Sequence, residues 1–351
     1  MSINDILGLG KVLPIDKLLD VLSSVTSRLS KPYFDRKDVD TKAYEIKKLA
    51  EAKAEEMKII STAIKENYLL TGGIEYKENS IGITSPKELP ISTSEHSFLI
   101  IPSLEERVKD RINLQEAKKQ LNLESITAYA AEELKNEPPV TDEPVNEDWK
   151  TRFFNIAEDI SSDEMQALWG RILAGEIKQP KSYSLRTLEL LKNLSKDEAE
   201  VFTKFANLKI VSSNQSVIYN QDNGAFLQSE FGITFLDRLL LAELGLISSE
   251  NNLELSFNET NQTVTTNALF IGNKGIVLNR DINTPKQPID VLVFTKTGAE
   301  LSKLIEPIPN ENYIKKICSS FKHPNVKIEY GDITLLPNGQ LTVQNKIEYT
   351  E

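Results

Sequence analysis

Residues 161–176 read SSDEMQALWGRILAGE, and this stretch predicts the helix around which the middle of the chain is built. Its first four residues have the order of a capping box, which starts a helix by satisfying free backbone N–H groups. The apolar residues that follow recur at helical spacing, and they are Met165, Leu168, Trp169, Ile172 and Leu173. We therefore expect Trp169 to pack in a core, and Gly170 beside it to let another helix approach closely.

Three more short helices are predicted around this one. Aromatic and aliphatic residues at helical spacing precede it from Trp149, and a further helix is expected over residues 183–194. Residues 195–198, SKDE, form a second capping box, and Phe202 and Phe205 follow on one helix face. Residues 149–210 are therefore predicted to form a compact helical bundle with aromatic side chains on its inner faces.

Before this bundle we expect a helical arm over residues 1–70, an irregular connector with a helix over residues 71–136, and an acidic linker over residues 137–148. One apolar stripe in the arm recurs at helical spacing, and its members are Ile15, Leu18, Leu19, Leu22 and Val25. These five are candidates for self-association or for contact with a membrane surface. Packing on the chain's own helices is the alternative.

Beyond residue 210 the pattern changes to helices followed by strands. Residues 235–247 predict an amphipathic helix that stops at Gly245, and residues 297–301 open a last helix after several strands. This order predicts a winged-helix-like module over residues 211–310 and a β-rich tail over residues 311–351. The predicted fold class is α+β: a mainly helical N-terminal two-thirds, a winged-helix-like module and a C-terminal β tail.

The charge balance weighs against binding phosphate backbones or anionic membranes over the whole surface. The chain has 52 acidic and 41 basic residues, a formal net charge of -11. A local basic patch could still bind nucleic acid, and the candidate contacts in the winged-helix-like module are Arg238, Lys274 and Arg280. Acidic residues are interspersed among them, so a winged-helix fold used for protein contacts is favoured.

The residues that usually carry catalysis are scarce. Two histidines and the single Cys318 cannot fill a structural zinc site without carboxylates, and no phosphate-binding glycine loop is present. Glu176 and Lys178 have the Glu-x-Lys spacing of metal-dependent nucleases, but the same spacing occurs at several other places in this Glu/Lys-rich chain. We therefore predict no catalytic, cofactor-binding or metal-binding residues.

Several blocks of the chain resemble a known family. The block DEMQALWGRILAGE at residues 163–176, with PVNEDW at 144–149 and LSKDEA at 194–199, resembles an uncharacterised bacterial family catalogued as a domain of unknown function. This resemblance covers most of residues 12–210. The order of the blocks at residues 168–174, 194–199, 241–247 and 294–301 is also similar to the abortive-infection alpha proteins. That similarity implies a role in bacterial defence against phage and carries no established catalytic residues.

Together these observations predict a non-enzymatic interaction protein of phage defence that forms a homo-oligomer through its N-terminal helices. A phage or host protein is the expected partner, and a peripheral membrane contact stays open. With Asp5 near the N-terminus and no long apolar run, the expected location is cytoplasmic. A winged-helix DNA-binding regulator is the first alternative, and a metal-dependent nuclease is the second.

Overall fold

The computed structural model describes residues 11–25, 73–77, 80–84, 103–212, 215–250, 253–261, 263–335 and 341–350. It has a mixed α/β architecture with a large antiparallel sheet. The chain divides into two compact units, residues 1–144 with 153–178 and residues 145–152 with 179–351. No helix within the described ranges combines the length and the apolar character that a membrane span needs.

The first unit is mainly helical. Its elements are β1 (Lys11–Val12), α1 (Pro14–Val25), β2 (Gly73–Lys77), β3 (Ser80–Thr84), α2 (Leu104–Leu134), β4 (Val140–Thr141), the last turns of α3 (Glu147–Ala157), and α4 (Asp163–Lys178). Strand β1 pairs antiparallel with β4, and β2 with β3. The second half of α2 packs along α4, and α1 contacts both helices.

Two expectations about α4 are confirmed. Trp169 is completely buried and lies beside Phe153, with ring centroids 5.3 Å apart. Gly170 faces α2 so closely that a Cβ built on it would lie 2.4 Å from the Cβ of Tyr129 and 3.1 Å from the backbone N of Ala130. Only a glycine allows α2 and α4 to approach this closely.

Two members of the α1 stripe, Leu18 and Leu22, are buried inside the first unit, as the alternative of packing on the chain's own helices predicts, and not as contacts for a partner or a membrane. Leu18 and Leu22 are buried to 1% and 2% exposure, and Ile15 and Leu19 are half-buried. The side chain of Val25 lies outside the described residues. Burying Leu18 and Leu22 against α2 and α4 removes their apolar surface from water within the chain itself, so neither is available for self-association.

The predicted acidic linker contains ordered structure. Within it Val140 and Thr141 form β4, which pairs with β1, and helix α3 begins at Glu147. The Nζ of the buried Lys17 donates a 2.9 Å hydrogen bond to the carbonyl oxygen of Thr141. Burial lowers the pKa of Lys17, although Asp142 nearby acts in the opposite direction.

The second unit contains the large sheet. Its further elements are α5 (Leu185–Asn193), α6 (Lys196–Asn207), β5 (Ile210–Ser212), β6 (Gln215–Tyr219), α7 (Ala225–Phe231), α8 (Phe235–Glu243), β7 (Leu253–Phe257), β8 (Thr265–Ile271), β9 (Lys274–Arg280), β10 (Gln287–Val293), α9 (Lys296–Leu301), α10 (Glu311–Ser320), β11 (Val326–Leu335) and β12 (Leu341–Glu348). The eight strands have the spatial order β12-β11-β9-β8-β5-β6-β10-β7, and all neighbours are antiparallel.

The C-terminal residues belong to this sheet. Helix α10 comes first, and it buries Tyr313, Ile317 and Cys318. Strand β11 then pairs with β9 from Val326↔Arg280 onward, and β12 pairs with β11 at the sheet edge. The predicted β strands are present, but they extend the main sheet, and a helix precedes them.

Candidate functional site

Helix α8 in the second unit is sharply delimited by its sequence. At its start Thr234 and Asp237 cap each other: Asp237 accepts a 2.8 Å hydrogen bond from the Thr234 backbone N–H, and Thr234 Oγ1 accepts one of 3.2 Å in return. At its end Gly245 takes the left-handed conformation, with φ 70°. The predicted amphipathic helix and its stop at Gly245 are therefore confirmed.

The outward side of α8 is apolar. Leu241 is completely buried and anchors the helix, whereas Phe235, Leu236 and Leu239 are 64%, 70% and 54% exposed. At about 100° per residue these three side chains fall within one arc of roughly 100°. They form a continuous surface, which we name the α8 apolar face.

A strained turn lies beside this helix. Asp222, Asn223 and Gly224 all have left-handed backbone angles, with φ of 55°, 52° and 87°. Each non-glycine residue in this conformation costs on the order of 1–2 kcal/mol, although Asp and Asn tolerate it best. Such strain persists only where the surrounding structure holds it, and it is concentrated at functional sites. We name residues 222–224 the left-handed turn.

Arg238 connects the left-handed turn to the α8 apolar face. Its guanidinium lies 5.6 Å above the ring of Phe235, and Nη1 is 3.5 Å from Oδ1 of Asn220. A Cβ on Gly224 would come within 2.7 Å of Nη1. Its Nε is buried and has no hydrogen-bond partner among the described residues. The arginine side chain therefore lies between the turn and the phenyl ring.

The left-handed turn is fixed from its other side by a polar network. The hydroxyl of Tyr219 lies 2.7 Å from Ser320 Oγ and also donates to Gln221, and Ser320 Oγ is 3.0 Å from Oε1 of Gln221. The backbone N–H of Tyr219 donates to the hydroxyl of the buried Tyr313 at 2.9 Å. Burial raises the pKa of Tyr219, so its phenol stays protonated at neutral pH. The turn therefore rests on a rigid support.

The stretch of sequence that contains α8 is acidic. Residues 221–250 contain five acidic side chains, Asp222, Glu230, Asp237, Glu243 and Glu250, and one basic side chain, Arg238. The only cation of this stretch is half-buried against Phe235. An apolar face with acidic neighbours is chemically suited to recognise protein and not phosphate.

Within the described ranges no three His, Cys, Asp or Glu side chains are grouped so that they could hold a metal ion. Burial raises the pKa of the Cys318 thiol to about 12, which makes it a poor nucleophile. His323 Nδ1 accepts a 3.1 Å hydrogen bond from the backbone of Asn325 in a turn.

The three predicted nucleic-acid contacts do not form one patch. Lys274 and Arg280 lie at opposite ends of β9, roughly 20 Å apart at the rise of a strand. Lys274 pairs with Asp332 at 2.5 Å. Hydrogen bonds from Asn345 and from Lys274 lower the pKa of that carboxyl.

Arg280 is unavailable to a ligand, which corrects its prediction as a phosphate contact. It is 2% exposed, and its guanidinium donates to the carbonyl oxygens of Asn258 at 2.8 Å and Pro285 at 2.9 Å, and to Gln287 Oε1 at 3.1 Å. It also lies 5.8 Å above the ring of Phe257. These oxygens satisfy the guanidinium donors, so Arg280 can lie in the core of the sheet without a carboxylate partner.

In the first unit, Glu176 and Lys178 occupy different environments. Glu176 is 1% exposed, whereas Lys178 is half-exposed and pairs with Glu137 at 2.9 Å. A metal-dependent nuclease needs both side chains directed at one metal-bound substrate. This geometry offers the nuclease alternative no support.

Sequence reasoning missed the α8 apolar face, although a signal for it was present. Six of the nine residues of α8, FLDRLLLAE, are apolar, which is more than one buried stripe of a short helix requires. Such an excess indicates that some apolar side chains remain outside the core. Helical periodicity alone does not identify which of the apolar side chains of α8 remain exposed.

The comparisons with known proteins identify one family. A family model described as "Protein of unknown function (DUF2806)" matches residues 106–318. The match confirms the predicted resemblance to a family of unknown function, and it includes α8, the left-handed turn and Arg238. Neither the curated proteins nor the solved structures contain a match to this sequence.

Proposed function

The chain belongs to the DUF2806 family, and we propose that it is a non-enzymatic interaction protein that binds another protein through the α8 apolar face. The exposure of Phe235, Leu236 and Leu239 carries this proposal. Complete burial of one such side chain is worth about 1.5–3 kcal/mol, so a partner that covers all three gains a substantial binding energy. The adjoining left-handed turn supplies a rigid border.

The order of the elements around α8 supports the prediction of a winged-helix-like module. Helix α6 is followed by β5 and β6, then by α7 and α8, and the antiparallel strands β6, β10 and β7 lie side by side. In winged-helix proteins that bind DNA, the helix in the position of α8 enters the major groove. Here that helix presents Phe235, Leu236 and Leu239 and has one half-buried arginine, which favours a protein partner over DNA.

We place this interaction in phage defence, in the cytoplasm, with the protein as a sensor or an effector. The support is the similarity of the blocks at residues 168–174, 194–199, 241–247 and 294–301 to the abortive-infection alpha proteins. A phage protein or a host protein that changes during infection is the expected partner. Recognition of a partner by an exposed apolar face beside a rigid turn requires no catalytic step.

The test is a phage challenge of cells that carry matched variants. Phe235→Ser with Leu239→Ser should abolish protection, whereas Ile308→Ser with Ile347→Ser should keep it, since those two side chains are 79% and 58% exposed but belong neither to α8 nor to the left-handed turn. A photo-crosslinking residue at Leu236, but not at Ile308, should give a protein adduct during infection. Equal protection by both variants, with no adduct, would reject the proposal.

DNA binding is distinguished by a gel shift at low salt. A DNA-binding regulator would show a salt-sensitive shift that Arg238→Glu and Lys274→Glu abolish. We expect no shift with the wild-type protein, because no cluster of basic side chains accompanies Arg238 in residues 221–250. A shift that these changes remove would favour the regulator.

A further inference from the structure

Two lysine side chains lie beside Ser302 in the second unit. Lys209 lies between α6 and β5, and its Nζ donates 3.1 Å hydrogen bonds to the carbonyl oxygen and to the Oγ of Ser302. Lys303 follows Ser302 in the short turn after α9, and its Nζ is 3.5 Å from the carbonyl oxygen of Ser182. The same Nζ is 5.9 Å from the centre of the Tyr183 ring. We name Lys209 and Lys303 the lysine pair.

The positive charges of the lysine pair are not balanced by a carboxylate among the residues that the structure describes. Burial lowers the pKa of Lys209, and the positive charge of Lys303 lowers it further, while no acidic residue acts in the opposite direction. Glu300 on the preceding helix α9 is already engaged. Its carboxylate accepts a 2.7 Å hydrogen bond from the backbone N–H of Ser184 and lies 3.8 Å from Nζ of Lys296.

Lys17 in the first unit shows the opposite arrangement. Burial lowers its pKa as well, but Asp142, Glu143 and Glu176 all act in the opposite direction. Lys209 has another cation in place of these acids. Removing an ammonium group from water is costly unless opposite charge or hydrogen bonds replace the water. Two ammonium groups that repel each other are therefore suited to hold an anion that comes from outside the chain.

The lysine pair also has hydrogen-bond donors that no described residue accepts. An ammonium group carries about three N–H donors. The two oxygens of Ser302 accept from Lys209, and the carbonyl oxygen of Ser182 accepts from Lys303, so N–H donors remain on both lysines. A phosphoryl group presents three acceptor oxygens and a charge of about −1.5 to −2 at pH 7. It therefore complements two ammonium groups better than a carboxylate does, since a carboxylate carries a single charge.

We propose that the lysine pair binds a phosphoryl group, either as inorganic phosphate or as the phosphate of a small phosphomonoester. Lys209 is half-buried and Lys303 is exposed, so the anion reaches the pair from the side of Lys303. Its negative charge relieves the repulsion between the two ammonium groups. Because one side of the site is open to water, we expect a dissociation constant on the order of 1 mM. This proposal does not rest on the α8 apolar face or on its partner.

Calorimetric titration of the full-length chain with inorganic phosphate, at pH 8 and constant ionic strength, tests the proposal. Lys303→Gln should raise the dissociation constant at least tenfold, whereas Lys303→Arg keeps the charge and should stay close to the wild type. Both changes are at an exposed position, so the fold should tolerate them. Lys204→Gln is the matched control, since it removes the same charge from an exposed position in the last turn of α6, and it should bind like the wild type. Absence of binding to the wild type, or unchanged binding by Lys303→Gln, would overturn the proposal.

Lysine acetylation by an amine-reactive ester, measured for each lysine by mass spectrometry, tests where the anion lies. Saturating inorganic phosphate should slow the modification of Lys209 and Lys303 at least fivefold and leave Lys204 unchanged. Equal slowing at all three lysines would show a general salt effect and would refute the site.

The choice of anion tests the chemical class of the ligand. Acetate at the same ionic strength carries a single charge and should bind the wild type at least tenfold more weakly than phosphate does. Equal binding of acetate would contradict the selection of a phosphoryl group. Glycerol phosphate distinguishes the two sources: tighter binding than inorganic phosphate would support a phosphomonoester as the ligand, and weaker binding would support the free anion.

Discussion

The guanidinium of Arg238 lies directly against the backbone of Gly224. A Cβ placed on Gly224 would be 2.7 Å from Nη1 and 2.9 Å from Cζ of Arg238. Gly224 allows this contact because a glycine has no side chain and takes the left-handed conformation readily. The position of Arg238 over Phe235 therefore depends on a glycine eleven residues before Phe235 in the sequence.

Gly224→Ala should lower the free energy of unfolding by about 1–2 kcal/mol. Most of this loss comes from forcing alanine into φ 87°, because the arginine can move its flexible end aside. Arg238→Met should relieve the remaining clash, so the double variant should be more stable than the sum of the two single changes predicts. Urea unfolding of the four proteins measures this coupling, and strict additivity would contradict the contact.

Gly170→Ala should lower the free energy of unfolding more than Gly224→Ala does. The atoms nearest to the new methyl group are backbone atoms and a Cβ, which cannot move aside as the end of an arginine side chain can. The new methyl group would meet Tyr129 Cβ at 2.4 Å and Ile126 O at 3.1 Å, so α2 and α4 would have to separate. We expect a loss of about 2–4 kcal/mol in the free energy of unfolding. Gly245→Ala is the control: it has no atom within 4 Å, and only its φ of 70° opposes the change. Equal losses for the two variants would refute the close packing at Gly170.

Gln166 is the centre of a buried polar network in the first unit. Its side chain is fully buried, accepts from Ser125 Oγ at 2.7 Å, and donates to Asn122 Oδ1 at 3.1 Å and to Ile160 O at 2.8 Å. Gln166→Leu should cost about 2–4 kcal/mol, because it leaves these polar groups without that partner.

The control for Gln166 is Gln120→Leu. The side chain of Gln120 is half-buried and donates to Glu124 on its own helix at 2.8 Å. Its replacement should change the free energy of unfolding by no more than about 0.5 kcal/mol. Thermal or urea unfolding of the two variants gives the comparison, and similar values for both would mean that the network contributes little.

Local patterns in the sequence predicted α4, α5, α6 and α8 well, because caps and helical periodicity act over a few residues. The capping box at Ser195 is formed as expected, with Ser195 N donating to Glu198 at 2.8 Å. In the predicted β-rich tail, Val326–Leu335 forms one strand whose pairing with β12 shifts register between Tyr330 and Asp332. Gly331 lies at that irregularity and breaks the apolar pattern.

Non-local packing could not be predicted in the same way. The α1 stripe is equally suited to a partner, a membrane or the chain's own helices, and only the three-dimensional structure places Leu18 and Leu22 in the core. Arg280 has the sequence context of a surface arginine on a strand, and its carbonyl partners Asn258 and Pro285 are contributed by loops. Amphipathic periodicity says that a side chain is buried or exposed, but it does not identify what covers it.

Cys318 should make the folded state sensitive to alkaline pH. Burial raises the pKa of its thiol from an ordinary value of 9.0 to about 12, so the folded protein keeps the thiol protonated while the unfolded chain ionises. The contribution is therefore fully present below pH 9 and is lost as the pH rises toward 12. Between pH 8 and pH 10 the thiol alone should lower the free energy of unfolding by about 1.4 kcal/mol.

Comparison with Cys318→Ala isolates this effect from other titrating groups. Burial also raises the pKa of Tyr313, but that phenol begins to matter only above about pH 10 and is present in both proteins. The alanine variant should be less stable at pH 8 because it leaves a small cavity, yet it should lose less stability than the wild type by pH 10. Urea unfolding under reducing conditions at pH 8, 9 and 10 measures both curves. Parallel curves would show that the thiol ionises as easily in the folded state as in the unfolded chain.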